Sequence, residues 1–412
     1  MQAGRPAVGP TFRSGATVQD AGFSLVEAIV SAGLLLLVTA AVFALTDPTR
    51  GASLVQLESA DLEQRLRVAA NALSNDLTMA GAGTYAGAEA GPLTFWFAPV
   101  LPYRRGRVAA DAPGTFRSDV VTLFYVPSTS SQTTLSAALS SGQLTLQVIP
   151  ESGCPHGQPL CGFLPGMTLL VYDSQGHSDT FTLTSTAGNQ GQLAANNPGG
   201  VMRGTYAIGS KVVQVVQRTY YVKPNAQGVD QLVYYDGSAN ADTPVIDHVA
   251  GIELQYYGDP QPPILYGSVS DSTGQWTTYG PKPPAFDARP TAYPDGENCV
   301  FTFDPVSGLH SPRLEVLGEQ SSPRALVRLT AAELSDGDIW CPEVGTENRF
   351  DADLLRVRKV AVTLRVESAV DALRGPAGVL FRHGGTGRGA QRLLPDRELR
   401  FQVTPPNLNL RP

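Results

Sequence analysis

The sequence predicts an α+β protein: a long N-terminal α-helical stem, its first half able to span a membrane, packed on a β-rich globular head that carries an inserted small β lobe. Three observations carry this. Residues 28–45 hold no charged side chain. A stripe of apolar residues at helical spacing follows between residues 62 and 80. From residue 90 onward, helical periodicity gives way to short apolar runs separated by Gly, Pro, Ser and Asn clusters.

Ahead of the apolar run, in residues 1–22, Arg5 and Arg13 outweigh Asp20. Positive charge before an apolar run favours an N-terminus on the cytoplasmic side. The stem, residues 23–80, begins with the transmembrane stretch at about 26–45. Its uncharged 18 residues rise ~27 Å as a helix, close to the thickness of a bilayer's hydrocarbon core. A secretory signal would place a small-residue cleavage site after this run, and the TDPTRGASLVQ that follows supplies none. Asp47-Pro48 predicts a kink or short break, because proline removes a donor and biases its predecessor away from helical angles. Helical spacing then resumes in Leu62, Leu66, Ala69, Leu73, Leu77 and Ala80, with Asp61, Glu63, Arg65, Arg67, Asn71 and Asn75 opposite. A free coiled-coil arm would show the same stripe, but the β-rich region that follows favours packing on a sheet. Gly81-Ala82-Gly83 ends the helix.

The head starts at 81–126, continues through a lobe at 127–216 and closes with 217–412. Candidate strands are 119–126, 144–149, 167–172, 180–186, 211–222, 231–235, 251–257, 325–329, 355–366 and 398–403. The lobe opens in the polar tract PSTSSQTT, ends where KVVQVVQRTYYV begins, and reads as a small β-barrel or sandwich. In LLRVRKVAVTLRVES, Arg356, Arg358, Val360, Val362, Leu364 and Val366 alternate with Leu355, Val357, Lys359, Ala361, Thr363 and Arg365. That alternation predicts one well-buried face and a place at the centre of the main sheet. The 42 glycines and 32 prolines make the head loop-rich without making it disordered. Length favours two lobes, and no repeat suggests a solenoid.

Glu27 is the one carboxylate at the start of the apolar run. Burying it beside lipid, charged and alone, costs several kcal/mol, so it needs a partner or a place at the headgroup boundary. The hexapeptide Gly22-Phe23-Ser24-Leu25-Val26-Glu27 resembles the cleavage and methylation motif of type IV prepilins. The resemblance implies that a prepilin peptidase cuts between Gly22 and Phe23, that Phe23 becomes the N-methylated N-terminus, and that Glu27 guides assembly by pairing with the α-amino group of Phe23 on a neighbouring subunit. It also implies partners: other pilin or pseudopilin subunits through the helix, an inner-membrane assembly platform, and membrane lipid before assembly. The tract ALSNDLTMAGAGTY at 72–85 is similar to the stem end of the larger, PilW-type minor pilins.

All four cysteines, Cys154, Cys161, Cys299 and Cys341, follow the membrane segment, where an oxidising compartment permits disulfides. Proximity suggests Cys154 with Cys161 and Cys299 with Cys341, and three pairings remain open. A zinc site at Cys154, His156 and Cys161 lacks a second ligand pair. Carboxylates at Asp336, Asp338, Asp351 and Asp353, with Glu343 and Glu347 between them, make a weak calcium candidate against the plainer reading of a solvated acidic loop. Arg104, Arg105 and Arg107, and the arginines at 382–400, could meet phosphates. The formal charge of −7 argues against it, and no nucleic acid is expected. HExxH, GxxxxGK[ST] and GxSxG are absent and the five histidines are scattered, so neither an enzyme nor a cofactor is expected.

The expectation is a structural subunit, a minor pilin that initiates, assembles or caps a type IV pilus or pseudopilus. It would sit in the inner membrane as a single-pass protein, N-terminus cytoplasmic and head periplasmic, before joining the filament. A pilus-displayed adhesin or ligand-binding module and a minor pseudopilin of type II secretion are the alternatives. A membrane-anchored envelope enzyme is a third.

Overall fold

The computed structural model describes residues 24–83, 93–95, 98–106, 108–111, 115–128, 131–150, 154, 160–172, 178–187, 191–196, 205–237, 242–260, 264–271, 274–278, 301–304, 309–312, 325–334, 352–388 and 392–409. The chain divides into two compact units, 1–57 and 58–412. One helix, α1 (Leu25–Met79), belongs to both. Its backbone stays helical through Asp47-Pro48, so the break expected there does not occur. A proline deletes one amide donor from the ladder, and the turns before and after it keep theirs.

In the first unit, Leu25–Phe43 is a 19-residue stretch of mean hydropathy 2.3, none of it buried by the rest of the chain. It is long and apolar enough to cross a membrane. Ser24 starts it: the Glu27 amide donates to Ser24 Oγ at 3.2 Å and the Ser24 amide donates to Glu27 Oε2 at 3.0 Å. This reciprocal pair is a capping box, which supplies acceptors to two amides that lack a partner in the ladder.

In the second unit, every member of the expected stripe, Leu62, Leu66, Ala69, Leu73, Leu77 and Ala80, is buried. Each leucine so placed contributes about 1.5–3 kcal/mol relative to exposure. Asp61, Glu63, Arg67, Asn71 and Asn75 are exposed as expected. Arg65 is not: it is 7% exposed, because ion-pair partners lie beneath it. The helix ends at Gly81, whose φ of +80° is open to glycine at little cost. The Gly81 amide leaves the helix to bond the Phe124 carbonyl at 2.9 Å.

The strands of the body are β1 (Val100–Leu101), β2 (Val121–Tyr125), β3 (Gln132–Thr134), β4 (Thr145–Gln147), β5 (Thr168–Tyr172), β6 (Ser178–Ala187), β7 (Gln192–Asn196), β8 (Lys211–Gln214), β9 (Val216–Pro224) and β10 (Asp230–Tyr235). They continue with β11 (Thr243–Asp247), β12 (Val249–Gly258), β13 (Ile264–Asp271), β14 (Gly274–Thr278), β15 (Phe301–Asp304), β16 (Leu309–Pro312), β17 (Val327–Leu329), β18 (Val357–Val366) and β19 (Arg397–Val403). A five-stranded sheet has the order β1-β2-β9-β10-β11 and a four-stranded sheet the order β17-β12-β18-β19. β13 with β14, and β15 with β16, form two-stranded ribbons. Every strand pair among the described residues is antiparallel.

β18 sits between β12 and β19 with Val360, Val362, Leu364 and Val366 buried on one face, as the alternation predicted. The five- and four-stranded sheets meet near Tyr256 of β12. Its ring is edge-on to Phe116 at 6.0 Å, and the Leu254 amide bonds the Ser118 carbonyl at 2.6 Å.

A six-stranded sheet, β3-β8-β5-β6-β7-β4, closes on itself. Leu135 bridges Val148 just beyond its two end strands, with the Ser136 amide bonding the Gln147 carbonyl and the Ile149 amide the Thr134 carbonyl, both at 2.9 Å. Leu146, Phe163, Leu169, Phe181, Leu193 and Tyr206 help fill its interior. The single strand expected at 211–222 divides at Val215 into β8, which serves this sheet, and β9, which serves the five-stranded one. β2 and β9 flank the six strands in sequence and pair with each other, Tyr125 opposite Val216.

Candidate functional site

Of the residues the prepilin resemblance singles out, Glu27 lies in the capping box, while Gly22 and Phe23 fall outside the described residues. The helix presents apolar side chains around its whole circumference: Leu25, Ile29, Leu34, Leu37 and Phe43 are each at least 60% exposed. A helix apolar all round is stable only where lipid or other helices cover it. Thr39 hides its hydroxyl by donating to the Leu35 carbonyl one turn back. Ser24 itself was missed, though the S-x-x-E spacing signals it.

Two polar nodes hold the second half of α1 in the head. At the first, Asp76 Oδ1 accepts from Tyr125 at 2.9 Å and Asp76 Oδ2 accepts from Tyr220 at 2.6 Å. Arg218 stands 3.5 Å from the same carboxylate and stacks on Tyr234 at 3.9 Å. Burial first, then the charge of Asp76 and its hydrogen bond, pushes both tyrosine pKa values well above the usual phenol range. Helix, β2 and β9 therefore share one satisfied carboxylate.

At the second node, Glu58 Oε1 accepts from Arg65 at 3.1 Å, from the Ser368 hydroxyl at 3.1 Å and from the Ala369 amide at 2.6 Å. Arg65 also donates to the Glu367 carbonyl at 3.1 Å and to Asp61 at 2.7 Å. The Glu367 carboxylate receives Arg374 at 2.8 Å and lies 2.9 Å from His383 Nδ1. Burial works against the Arg374 charge, but Asp371 and Glu367 outweigh it and raise its pKa. Sequence spacing could not have joined the helix to the head at either node, since the partners that do so lie 49 to 311 positions apart.

Cys154 and Cys161 form a disulfide with Cα atoms 5.6 Å apart. Cys299, Cys341, His156, Asp336, Asp338 and Asp351 lie outside the described residues. Asp353 belongs to a short 3-10 helix, Ala352–Arg356, with its side chain outside the description. Among the described residues, no three His, Cys, Asp or Glu side chains converge on a metal-sized site. Arg104 stacks on Tyr221 at 4.2 Å and Tyr235 at 4.9 Å, and Arg105 on Phe124 at 5.2 Å. These two arginines are engaged in the head, while Arg107 lies outside the description.

The chain matches no family model, no curated protein and no solved structure.

Proposed function

We propose that this chain is a minor pilin-like structural subunit that helps initiate, assemble or cap a type IV pilus or related pseudopilus. The observation that carries the reading is α1 itself: a capped, uncovered apolar half continuing without a break into a half locked in a β-rich head. The GFSLVE hexapeptide sets where maturation occurs, between Gly22 and Phe23. That cut leaves the Phe23–Ser24 peptide intact, so the capping box survives it and Phe23 is free to carry the methyl group.

Glu27 then has a second role open to it. Its Oε2 accepts the Ser24 amide, and its carboxylate meets the Phe23 α-amino group of a neighbour and sets the stagger of packed helices. The leader arginines place the N-terminus in the cytoplasm and the head, with its disulfide, in the periplasm. Prepilin peptidase, the assembly platform and other subunits are the partners. No turnover and no cofactor are involved.

Residues 127–216 form an inserted lobe in this reading, entering and leaving the head beside the Tyr125–Val216 pair. That geometry favours a second role, display of an adhesive or ligand-binding module. Type II secretion pseudopilin remains the alternative assembly. The deciding experiment is intact-mass measurement of protein extracted from membranes. A chain starting at methylated Phe23 is expected, and an uncut chain starting at Met1 would eliminate the processing route.

A further inference from the structure

We propose that the turn at residues 378–381 is a docking knob that seats the head on an anionic lipid surface before assembly; this rests on the membrane-anchored reading of α1. Val379 is 92% exposed and Leu380 59%, and Pro376 and Ala377 beside them are exposed as well. Such a tip on a loose loop would mean little, but this one is built.

The Gly378 amide closes the turn on the Phe381 carbonyl at 2.7 Å, and Phe381 is buried beneath it. Arg365 donates to the Val379 carbonyl at 2.8 Å, and the Asp396 amide to the Leu380 carbonyl at 3.0 Å. The Arg382 amide bonds Asp396 Oδ2 at 2.7 Å. A tip already held in shape loses little conformational freedom on contact.

Charge names the surface. Between Asp371 and Asp396 the chain carries Arg374, Arg382, Arg388 and Arg392 and no carboxylate, although the whole chain is −7. Arg374 is spent within the fold, bridging Glu367 and Asp371, and Asp396 pairs with Arg365. Arg382 and Arg392 are exposed. Two exposed apolar side chains on a turn followed in sequence by exposed arginines fit the acyl boundary of an anionic bilayer, which demands no matching socket. The span and the head belong to one chain, so a weak contact suffices while the helix remains in lipid. Withdrawal of the helix into a filament would break it.

The test places a photo-crosslinking benzophenone amino acid at position 380 of the full chain, reconstituted in phosphatidylglycerol-containing vesicles. Position 30 in the span and Ile208, an exposed residue of the six-stranded body, carry the same probe as references. Lipid adducts are expected at 380 and 30 but not at 208. Neutral phosphatidylcholine vesicles should lower the yield at 380, as should Arg382→Gln with Arg392→Gln, by about fivefold per arginine, with position 30 unchanged. No lipid adduct at 380 beside strong labelling at 30 overturns the knob and leaves the span. Protein adducts at 380 in place of lipid ones overturn it in favour of a subunit contact. Absence of lipid adducts at 30 sinks the membrane reading and the knob with it.

Discussion

Asp76 is a single helical carboxylate that satisfies two tyrosine hydroxyls from two strands, Tyr125 and Tyr220. Asp76→Ala leaves both buried hydroxyls short of an acceptor, at about 1–3 kcal/mol each. Chemical denaturation should show this loss, and adding Tyr220→Phe should recover part of it, because the phenyl ring brings no orphan hydroxyl. Asp242 offers a pH test. Burial opposes its ionisation, but the hydrogen bond from Lys223, the nearby Tyr221 hydroxyl and the charges of Lys223 and Arg104 outweigh burial, and the carboxyl titrates below the ordinary 3.8. A depressed carboxylate contributes stability above its unfolded pKa and loses it as pH falls through the folded one. The melting-temperature gap between wild type and Asp242→Asn is therefore expected to be constant near neutrality and to shrink below about pH 4. A gap that widened on acidification would refute this account of Asp242.

At the scale of elements, α1 is two helices in one, and its halves should respond to different changes. Ser24→Ala removes one side of the capping box, worth about 0.5–2 kcal/mol. The effect should appear as faster amide exchange at residues 25–28 in a lipid-reconstituted sample, with the head unaffected. Leu73→Ala acts on the other half. Leu73 is 0% exposed, so its truncation should cost about 2–5 kcal/mol of head stability by urea titration. Both halves were legible beforehand, the first from 18 residues without charge and the second from the spacing of Leu62 through Ala80. At Asp47-Pro48 the helix continues in place of the short break that the dipeptide allows, because the turns on either side keep their hydrogen bonds. Arg65 misled because a charged residue off the apolar stripe was taken for a solvent-facing one, whereas Glu58 and the Glu367 carbonyl wait beneath it.

For the whole molecule, the informative junction is Tyr125 opposite Val216. A chain joining these neighbours by a short turn in place of the six-stranded body should keep the five- and four-stranded sheets. Its near-ultraviolet circular dichroism and cooperative unfolding are expected to persist. Loss of cooperative folding would show that the six strands support the rest. The same variant sorts the functions. Filament incorporation with loss of surface binding favours display, whereas loss of incorporation favours a building role.

The amino-acid order alone determined what depends on near neighbours: the membrane-length helix, the face its second half buries and the central position of β18; the Cys154–Cys161 disulfide, which proximity only suggested among three pairings, was decided by the structure. Periodicity reports burial, and burial acts on each turn or strand where it stands. Tertiary structure decided what depends on distant partners. It split the long apolar run at Val215 between two sheets, closed six strands through Leu135 and Val148, and drew Arg65 inward to Glu58 and Glu367. A strand's edge bonds to whichever chain the fold brings alongside, and a charge is buried only where a counter-charge arrives from elsewhere, so neither is written in local spacing.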